Sequence, residues 1–442
     1  MGASVVKGTA VVVGGGGREH ALAWALERSG QFARVYAAPG NAGTPHPVPL
    51  PAGAAEAAEA LVTFAREHDT RLVVVGPEAP LAAGLADRLR EAGVPVVGPS
   101  RSAARIESSK AFAKTVMARA GVPTAPFRIF SDPERAVAYV RKAGRPLVVK
   151  ADGLAAGKGA IVCDTPREAE QAVRSLMVQR TLGDAGGVVV VEERLEGREL
   201  SVMILTDGER ALLLPPARDH KRLLDGDRGP NTGGMGAVAP VEGETGLQDV
   251  LQRIFYPVLR ELAAAGSPFR GVLYAGLMLT PEGPQVLEFN CRAGDPETQA
   301  QLPLLDAQRL TEALLAVAGV PGATLPDDPG WLWRGPLAGR ERRHAVCVVA
   351  ASAGYPERPR TGDLVEGLEE AAGEFEAADD GTLVFHAATR RRAGGRVETA
   401  GGRVLNVVGL GATWDEARRR AYDRLSRISF DGMQYRSDIG LL

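Results

Sequence analysis

The segment AVVVGGGGREHA, residues 10–21, sets the fold of the first part of the chain, because an apolar run passes into four glycines and then into a helix pattern. A short run without polar residues is typical of a parallel strand buried on both faces. The same character returns at residues 35–38, 72–75 and 94–97. Residues at helical spacing lie between these runs, at Leu61, Phe64, Ala65 and His68 and at Leu81, Leu85 and Leu89. This alternation predicts an N-terminal α/β domain with a parallel sheet.

Each predicted strand ends in a glycine-bearing loop, at residues 14–17, 40–43, 76–80 and 98–100. Ligands of parallel sheets bind outside the carboxyl ends of the strands, so these loops are candidate binding sites. The helix that follows residues 14–17 would add backbone N–H groups and a positive dipole end, which favour a phosphate or carboxylate. A dinucleotide fingerprint is incomplete, because Glu19 replaces its third glycine and residues 39–41 offer no acid for a ribose. A nicotinamide-dependent dehydrogenase is therefore a disfavoured hypothesis.

The composition places limits on the class of protein. A chain of 442 residues is long enough for about three domains. The 52 basic and 54 acidic residues leave a net charge of -2, which gives no electrostatic footprint for nucleic acid or an anionic membrane. Cys163, Cys291 and Cys347 are too far apart in sequence for a C-x-x-C pair, so a disulfide framework or thiolate metal site is not expected. We expect a cytoplasmic monomer with small-molecule partners.

A second, smaller β/α unit follows. SDPE at residues 131–134 and TPRE at 165–168 are typical of capping boxes, and strands are predicted at 147–150, 160–163 and 188–192. The loop KADGLAAGKG, residues 150–159, differs from a Walker A motif, because its spacing is one residue short and Gly159 replaces the magnesium-binding hydroxyl. Its glycines and two lysines instead suit a mobile cover over phosphates.

The sequence pattern predicts two strands of a hairpin, at residues 271–280 and 283–290. Because side chains alternate along a strand, we expect Glu288, Asn290 and Val286 on one face and Leu287 and Phe289 on the other. Two oxygen ligands at a strand end suit Mg²⁺, which completes its octahedron with water and phosphate. Arg292 follows directly and is placed to neutralise a transferring phosphoryl group.

The other segments carry weaker signals for binding contacts and for domain boundaries. Glu192–Leu195 with Glu199 suits contacts to adenine and ribose, and the glycine-rich loop at residues 219–236 is long enough to be functional. Residues 321–335 are rich in Pro, Gly and Asp and predict a linker. The remainder, from residue 342, mixes strands with a final helix capped by Thr413 and Glu416.

The motifs occur in the order GGGGREHA (14–21), PGNAGT (39–44), GPEAPL (76–81), ESSKAF (107–112), KADGLAAGKG (150–159), DHKR (219–222), GPNTGGMGA (229–237) and EFNCRAGDPET (288–298). In this order they strongly resemble the phosphoribosylamine–glycine ligase family of the ATP-grasp superfamily. The resemblance implies an N-terminal parallel-sheet (pre-ATP-grasp) domain at residues 1–103 and an ATP-grasp domain at 104–328 with a small β/α lid at about 124–190. A mixed α/β C-terminal domain would occupy 329–442. Ala293 and Gly15 depart from the family, which more often has a larger and a polar residue there.

The resemblance also implies roles for individual residues. ATP would contact Lys110, Lys150, Gly157, Lys158, Gly159, Glu192, Glu193, Leu195 and Glu199. Mg²⁺ or Mn²⁺ would be held by Glu288 and Asn290. Catalysis would use Arg292, Lys150, Asp219 and Asp295. The substrates would contact Gly15, Gly16, Gly17, Arg18, Glu19, Asn41, Gly43, Thr44, Glu78, Lys221, Thr232, Gly233, Gly234, Met235, Pro296, Glu297 and Thr298.

The family chemistry implies that the glycine carboxylate attacks the γ-phosphate of ATP, and that the amine of 5-phosphoribosylamine then displaces phosphate from glycyl phosphate. Three groups stay open as the acceptor of the amine proton: Asp219, Asp295 and Glu297. An ATP-grasp ligase for another acid or amine is the main alternative, since it would share Lys150, Glu288 and Asn290.

Overall fold

The computed structural model describes residues 8–155, 159–241, 246–332, 344–368 and 381–441, so the predicted site residues Gly157 and Lys158 lie outside the described residues. The strands are, in chain order, β1 (Thr9–Gly14), β2 (Arg34–Pro39), β3 (Thr70–Val75), β4 (Val96–Val97), β5 (Phe127–Phe130), β6 (Leu147–Ala151), β7 (Ala160–Cys163), β8 (Val189–Glu193), β9 (Arg198–Thr206), β10 (Ala211–Leu213), β11 (Arg218–Asp219), β12 (Arg222–Leu224), β13 (Arg228–Asn231), β14 (Gly236–Ala239), β15 (Gly271–Thr280), β16 (Gly283–Asn290), β17 (His344–Ala351), β18 (Thr382–His386), β19 (Thr389–Arg391), β20 (Val397–Thr399) and β21 (Arg403–Gly411).

The α-helices are α1 (Gly17–Arg28), α2 (Ala54–Glu67), α3 (Glu78–Ala82), α4 (Leu85–Glu91), α5 (Arg101–Ser108), α6 (Lys110–Ala120), α7 (Pro133–Ala143), α8 (Pro166–Val173), α9 (Leu247–Val250), α10 (Tyr256–Ala264), α11 (Glu297–Gln301), α12 (Ala307–Val317) and α13 (Trp414–Leu425). Short π-helical segments lie at Arg174–Val178 and Leu251–Phe255, and 3₁₀ segments lie at Gly183–Gly187 and Leu302–Leu304. In the described ranges, no helix has both the length and the apolar character needed to cross a membrane.

The N-terminal sheet is parallel, as predicted, with the strand order β2-β1-β3-β4. Its apolar runs are buried, which explains why polar residues are missing from them. The helical spacing of Leu81, Leu85 and Leu89 is divided between α3 and α4, because Gly84 separates them with a φ of 94°. This left-handed conformation ends a helix and is readily adopted only by glycine. Ser109 caps α6 by accepting a hydrogen bond from the Phe112 N–H.

The small β/α unit predicted as a lid at about residues 124–190, called the lid below, has its own antiparallel sheet of β5 to β8 in the order β5-β8-β6-β7. Apolar residues of α7 and α8 pack on this sheet in a hydrophobic cluster separate from the two larger ones of the described chain. Thr165 and Glu168 form the predicted capping box of α8. At α7 the prediction was shifted by one residue, because Asp132 and not Ser131 accepts the hydrogen bonds from the first turn.

The central sheet is antiparallel, with the order β10-β9-β15-β16, and it contains the predicted hairpin of β15 and β16. The pairing is irregular near its middle: Glu288 pairs with Gly276 and Val286 pairs with Leu277, so Leu287 has no partner across the strand pair. Such a bulge shifts the alternation of side chains. The prediction that Val286 shares a face with Glu288 is therefore wrong, since Val286 is fully buried in the same hydrophobic cluster as Phe289.

The sheet nearest the C-terminus combines two parts of the chain in the order β11-β14-β17-β21-β18. Strands β11 and β14 come from the middle of the sequence, whereas β17, β18 and β21 come from its last hundred residues. The helix α13 packs on β21 and begins after Thr413, whose hydroxyl accepts a hydrogen bond from the Glu416 N–H, as predicted. The loop at residues 219–236 therefore begins and ends on this sheet.

Candidate active site

A cleft with a volume of about 1090 Å³ lies between the lid, the central sheet and the two flanking sheets. Apolar side chains of the lid and the central hairpin both line it, at Val148, Leu154, Val162, Met278 and Leu287. An apolar slot of this kind with a few polar groups at its edge is typical of a small-molecule site. The lining also includes Glu193, Leu195 and Glu199, which the sequence analysis connected with adenine and ribose.

The beginning of α6 is tied to the lid loop beside this slot. Asp152 accepts hydrogen bonds from the Ser109 hydroxyl and from the Ala111 N–H, both at 2.9 Å. These contacts fix the first turn of α6, where Lys110 lines the cleft close to Lys150 and Gly159. The lysines predicted to hold phosphates are thus brought together from two elements that are distant in sequence.

A buried group of three charges lies in the wall of the cleft. Glu192 forms ion pairs with Lys150 and, at 2.5 Å, with Lys114, and all three residues are at most 6% exposed. Lys114 also donates to the Thr124 hydroxyl at 2.6 Å, and Lys150 donates to the Leu287 carbonyl at 2.9 Å. Burial lowers the pKa of Lys114, and the Glu192 carboxylate offsets part of this effect. One carboxylate between two ammonium groups keeps a net positive charge in this wall.

The predicted metal pair lies at the end of β16, and both Glu288 and Asn290 line the cleft. Burial alone would raise the pKa of Glu288, but Lys110, Lys221 and other nearby cations hold it below its ordinary value. Glu288 is therefore ionised at neutral pH. Among the described residues, no group of three or more His, Cys, Asp and Glu side chains has metal-holding geometry. Two oxygen donors fit Mg²⁺ or Mn²⁺ only if substrate phosphates and water complete the coordination, which is the usual arrangement for Mg²⁺.

Arg292 is fixed by carboxylates from two other segments. Its guanidinium lies 3.1 Å from Glu107 and 3.3 Å from Glu78, and it donates to Asn290 Oδ1 at 3.4 Å. Glu107 in turn accepts a hydrogen bond from the Cys291 N–H at 2.8 Å, so it holds the backbone next to Arg292 as well. These contacts orient the guanidinium in the cleft beside the predicted metal pair.

The loop at residues 219–236 contributes a second set of charges. Lys221 pairs with Glu199 and lies 4.0 Å from Asp219. Burial raises the pKa of Asp219 to about 7, although Lys221 acts in the opposite direction. A carboxylate with such a pKa can accept a proton near neutral pH.

The GDPET segment behaves differently. Burial would raise the pKa of Asp295, but Arg403 and Arg18 outweigh it and hold the pKa below its ordinary value. Its carboxylate also accepts a hydrogen bond from Gln299 at 2.8 Å. Asp295 is thus an ionised structural anchor and a poor proton acceptor. Glu297 is 3% exposed and accepts a hydrogen bond from the Ser201 hydroxyl at 3.2 Å.

The N-terminal glycines are enclosed by protein. A Cβ on Gly17 would lie 2.1 Å from Asn406 Nδ2, and one on Gly15 would lie 2.6 Å from the Gly40 carbonyl. The Gly16 N–H, expected to face an anion, already donates to the Glu19 carboxylate at 2.7 Å. Glycine is required here because three segments of the chain approach each other closely.

The described residues of the predicted set divide into two groups. The cleft is lined by Arg18, Glu78, Lys110, Lys150, Gly159, Glu192, Glu193, Leu195, Glu199, Asp219, Lys221, Thr232, Gly233, Glu288, Asn290, Arg292, Asp295 and Glu297. Its lining does not include Gly15, Gly16, Gly17, Glu19, Asn41, Gly43, Thr44, Gly234, Met235, Pro296 and Thr298. The second group supports the wall. For example, Asn41 donates to the carbonyls of Gly15 and His386, and Met235 is fully buried.

Sequence reasoning missed several residues that line the cleft, among them Glu107, Lys114, Tyr355 and Arg403. Two of them had a local signal. Glu107 opens the motif ESSKAF, and Lys114 lies four residues after Lys110, on the same face of the helix. Tyr355 and Arg403 lie far along the chain, and no pattern connects them with residues 229–237.

Comparisons with known proteins identify the family. The sequence matches the models described as phosphoribosylglycinamide synthetase N domain at residues 9–107, ATP-grasp (A) domain at 108–298 and C domain at 345–442. It is 45% identical to a phosphoribosylamine–glycine ligase of Ralstonia nicotianae over 97% of this chain and 98% of that one. A relative of the same name from Yersinia pestis is 44% identical, with 97% of each chain covered.

Solved structures agree as well. The crystal structure of phosphoribosylamine–glycine ligase from Thermotoga maritima has a TM-score of 0.81 at 34% identity, covering 97% of this chain and 99% of that chain. A second similar structure is the biotin carboxylase domain of Hydrogenobacter thermophilus 2-oxoglutarate carboxylase, in complex with MgADP and bicarbonate. It has a TM-score of 0.68 at 17% identity and covers 96% of this chain and 91% of that chain. At this identity the likeness shows a shared fold. The predicted fold class is therefore confirmed, and the chain belongs to the phosphoribosylamine–glycine ligase family of ATP-dependent ligases.

Proposed function

We propose that this chain joins glycine to 5-phospho-D-ribosylamine with the consumption of ATP, and that it releases glycinamide ribonucleotide, ADP and phosphate. One observation carries the proposal: phosphate-binding cations, two oxygen donors and the loop at residues 219–236 meet in one cleft. The cationic side chains of the cleft are suited to the triphosphate of ATP. The assignment of glycine as the acid and phosphoribosylamine as the amine comes from the family relationship.

In the first step, a carboxylate oxygen of glycine attacks the γ-phosphorus while the bond to the β-phosphate oxygen breaks. Such a transfer needs positioning and charge neutralisation more than covalent chemistry. Lys110, Lys150 and Arg292 would supply positive charge along the phosphates. Arg292 is suited to this task because Glu78 and Glu107 hold its guanidinium in place.

Glu288 and Asn290 would hold Mg²⁺ or Mn²⁺, and the metal when bound would neutralise charge on the phosphate oxygens. The lid would exclude water from the acyl phosphate. Lys150 belongs to the lid, and its contact with the Leu287 carbonyl connects the lid with the strand that bears this pair.

In the second step, the amine of phosphoribosylamine attacks the carbonyl carbon, and the bond to the phosphate oxygen breaks. Asp219 would accept the proton that the amine loses. Its raised pKa supports this assignment over Asp295, whose pKa is lowered.

The assay is release of ADP from ATP and Mg²⁺, with glycine and freshly generated phosphoribosylamine each present or omitted. We expect ADP only when both substrates are present. Equal activity with another amino acid or amine would contradict the substrate assignment and favour a different ATP-grasp ligase. A cytoplasmic location and a monomeric state stay predictions.

A further inference from the structure

We propose that Tyr355 and Arg403 form a clamp, here the Gly233 clamp, that positions the cleft wall used by glycine and phosphoribosylamine. The inference rests on the proposed function and assigns that wall to residues of the C-terminal sheet region. Both side chains line the cleft, together with Gly233 and Asp295.

The clamp holds both polar groups of one residue. The Gly233 N–H donates to the Tyr355 hydroxyl at 2.9 Å, and the Gly233 carbonyl accepts from Arg403 Nη1 at 2.5 Å. A loop of this length with several glycines has many accessible conformations in the unfolded chain, so ordering it is costly in entropy. Two side-chain contacts, one on each of the peptide groups that flank the Gly233 Cα, restrict this backbone to one conformation.

Arg403 also ties this loop to the GDPET segment. Its Nη1 donates to the Asp295 carbonyl at 2.8 Å, and its Nη2 lies 3.0 Å from Asp295 Oδ2. A planar guanidinium can bridge three acceptors in this way, whereas an ammonium group on a flexible stem cannot reproduce the geometry. One side chain therefore sets the spacing between two segments that face the substrates.

The backbone that carries the clamp is itself fixed. The Ser352 hydroxyl donates to the Gly401 carbonyl at 2.8 Å, and the Ser352 N–H donates to the Gly402 carbonyl at 2.8 Å. A Cβ on Gly402 would lie 2.3 Å from the Tyr355 ring, so the ring rests directly on this backbone. Tyr355 and Arg403 are thus held at a constant separation.

The position of the clamp predicts which kinetic constant responds. The Thr232 N–H, next to Gly233, donates to the Lys221 carbonyl at 2.8 Å, and Asp295 lies two residues before Glu297. Lys110 instead begins α6, and Lys150 lies on β6 of the lid, where it pairs with Glu192. The clamp is a positioning device, because its side chains act through Gly233 and Asp295. Its loss should weaken use of glycine and phosphoribosylamine and leave ATP binding unchanged.

The test compares Arg403→Met, Arg403→Lys and Tyr355→Phe with the unchanged protein. The matched control is Arg420→Met, since Arg420 donates to the Leu410 carbonyl at the other end of β21 and pairs with Glu416 of α13. We measure KM for each substrate, kcat, the ratio of ADP to amide product, and the thermal unfolding midpoint.

For Arg403→Met we expect KM for phosphoribosylamine or glycine to rise at least about tenfold, the effect of losing a charged hydrogen bond. KM for ATP should stay within about twofold, and excess ADP over amide should appear. Arg403→Lys should not restore the wild-type KM values. Tyr355→Phe should raise the same KM values by a smaller factor. If Arg403→Met fails to fold, Tyr355→Phe decides the test, because it removes a single oxygen.

Two outcomes would contradict the clamp. The first is that KM for glycine and KM for phosphoribosylamine are both unchanged. The second is that kcat decreases only in proportion to a lower unfolding midpoint, as it does in the control Arg420→Met. Absence of glycine-dependent ADP release by the unchanged protein would instead contradict the proposed function. The two failures are therefore distinguishable.

Discussion

Replacement of Lys114 by methionine tests whether the buried charge group supports ATP binding. Lys114 and Glu192 are 2% and 3% exposed, and their ion pair is 2.5 Å long. Methionine keeps most of the length and apolar volume of lysine but removes its charge. The two ammonium groups and one carboxylate sum to +1 in the native wall, and the variant sums to 0.

The size of the effect follows from burial. Breaking a buried ion pair by removing one partner costs about 3–5 kcal/mol, because the other charge stays buried without compensation. Glu192 keeps Lys150 as a second partner, so we expect the lower end, about 3 kcal/mol in the free energy of unfolding. Loss of positive charge beside a polyanion should also raise KM for ATP about tenfold, which corresponds to about 1.4 kcal/mol.

The assay combines urea unfolding with initial rates of ADP release at varied ATP. Lys142→Met is the matched control, because Lys142 is exposed in the last turn of α7 and should change neither quantity. The double variant Lys114→Met/Glu192→Gln should not recover stability, since the buried Lys150 ammonium then loses its carboxylate partner. Unchanged stability and an unchanged KM for ATP in the single variant would show that the Lys114 charge supports neither the fold nor ATP binding.

Two further predictions concern the chemical steps. Glu288→Gln should leave the fold intact and lower kcat at least about 100-fold, as loss of a metal ligand does; an unchanged rate at saturating Mg²⁺ would remove Glu288 from the site. Asp219→Asn should lower kcat by about 10²–10⁴, the usual contribution of a general base. Because Asp219 must be deprotonated to act, kcat of the unchanged protein should rise with pH through about 7. A pH profile that keeps this limb in Asp219→Asn would exclude Asp219 as the base.

The sequence predicts most where the signal is local. Strands β15 and β16 have the predicted bounds, since β-branched and aromatic residues lie between unmistakable turn residues. The capping pair of Thr165 and Glu168 is equally local. By contrast, the bulge at Leu287 arises from how β16 pairs with β15, and no pattern within β16 contains that information.

Two parts of the candidate site could not be predicted for the same reason. The glycines at residues 15–17 have the composition of an anion-binding loop, but their neighbours include Asn406, which is almost four hundred residues away in sequence. Arg403 reaches the cleft because β21 adjoins β17, which in turn adjoins β14. Both facts depend on tertiary contacts. Lys150, Glu288 and Asn290 line the cleft at positions that the strand and loop pattern predicted, whereas Lys110 was expected only from the family resemblance.

We propose that phosphoryl transfer in this cleft activates the glycine carboxylate, and an isotope measurement follows this transfer directly. Glycine labelled with ¹⁸O in both carboxylate oxygens is supplied with ATP, Mg²⁺ and phosphoribosylamine, and the released phosphate is analysed by mass spectrometry. If glycyl phosphate forms, one labelled oxygen passes to each phosphate and the other stays in the amide. Formation of the amide with unlabelled phosphate would show that the amide does not arise from glycyl phosphate.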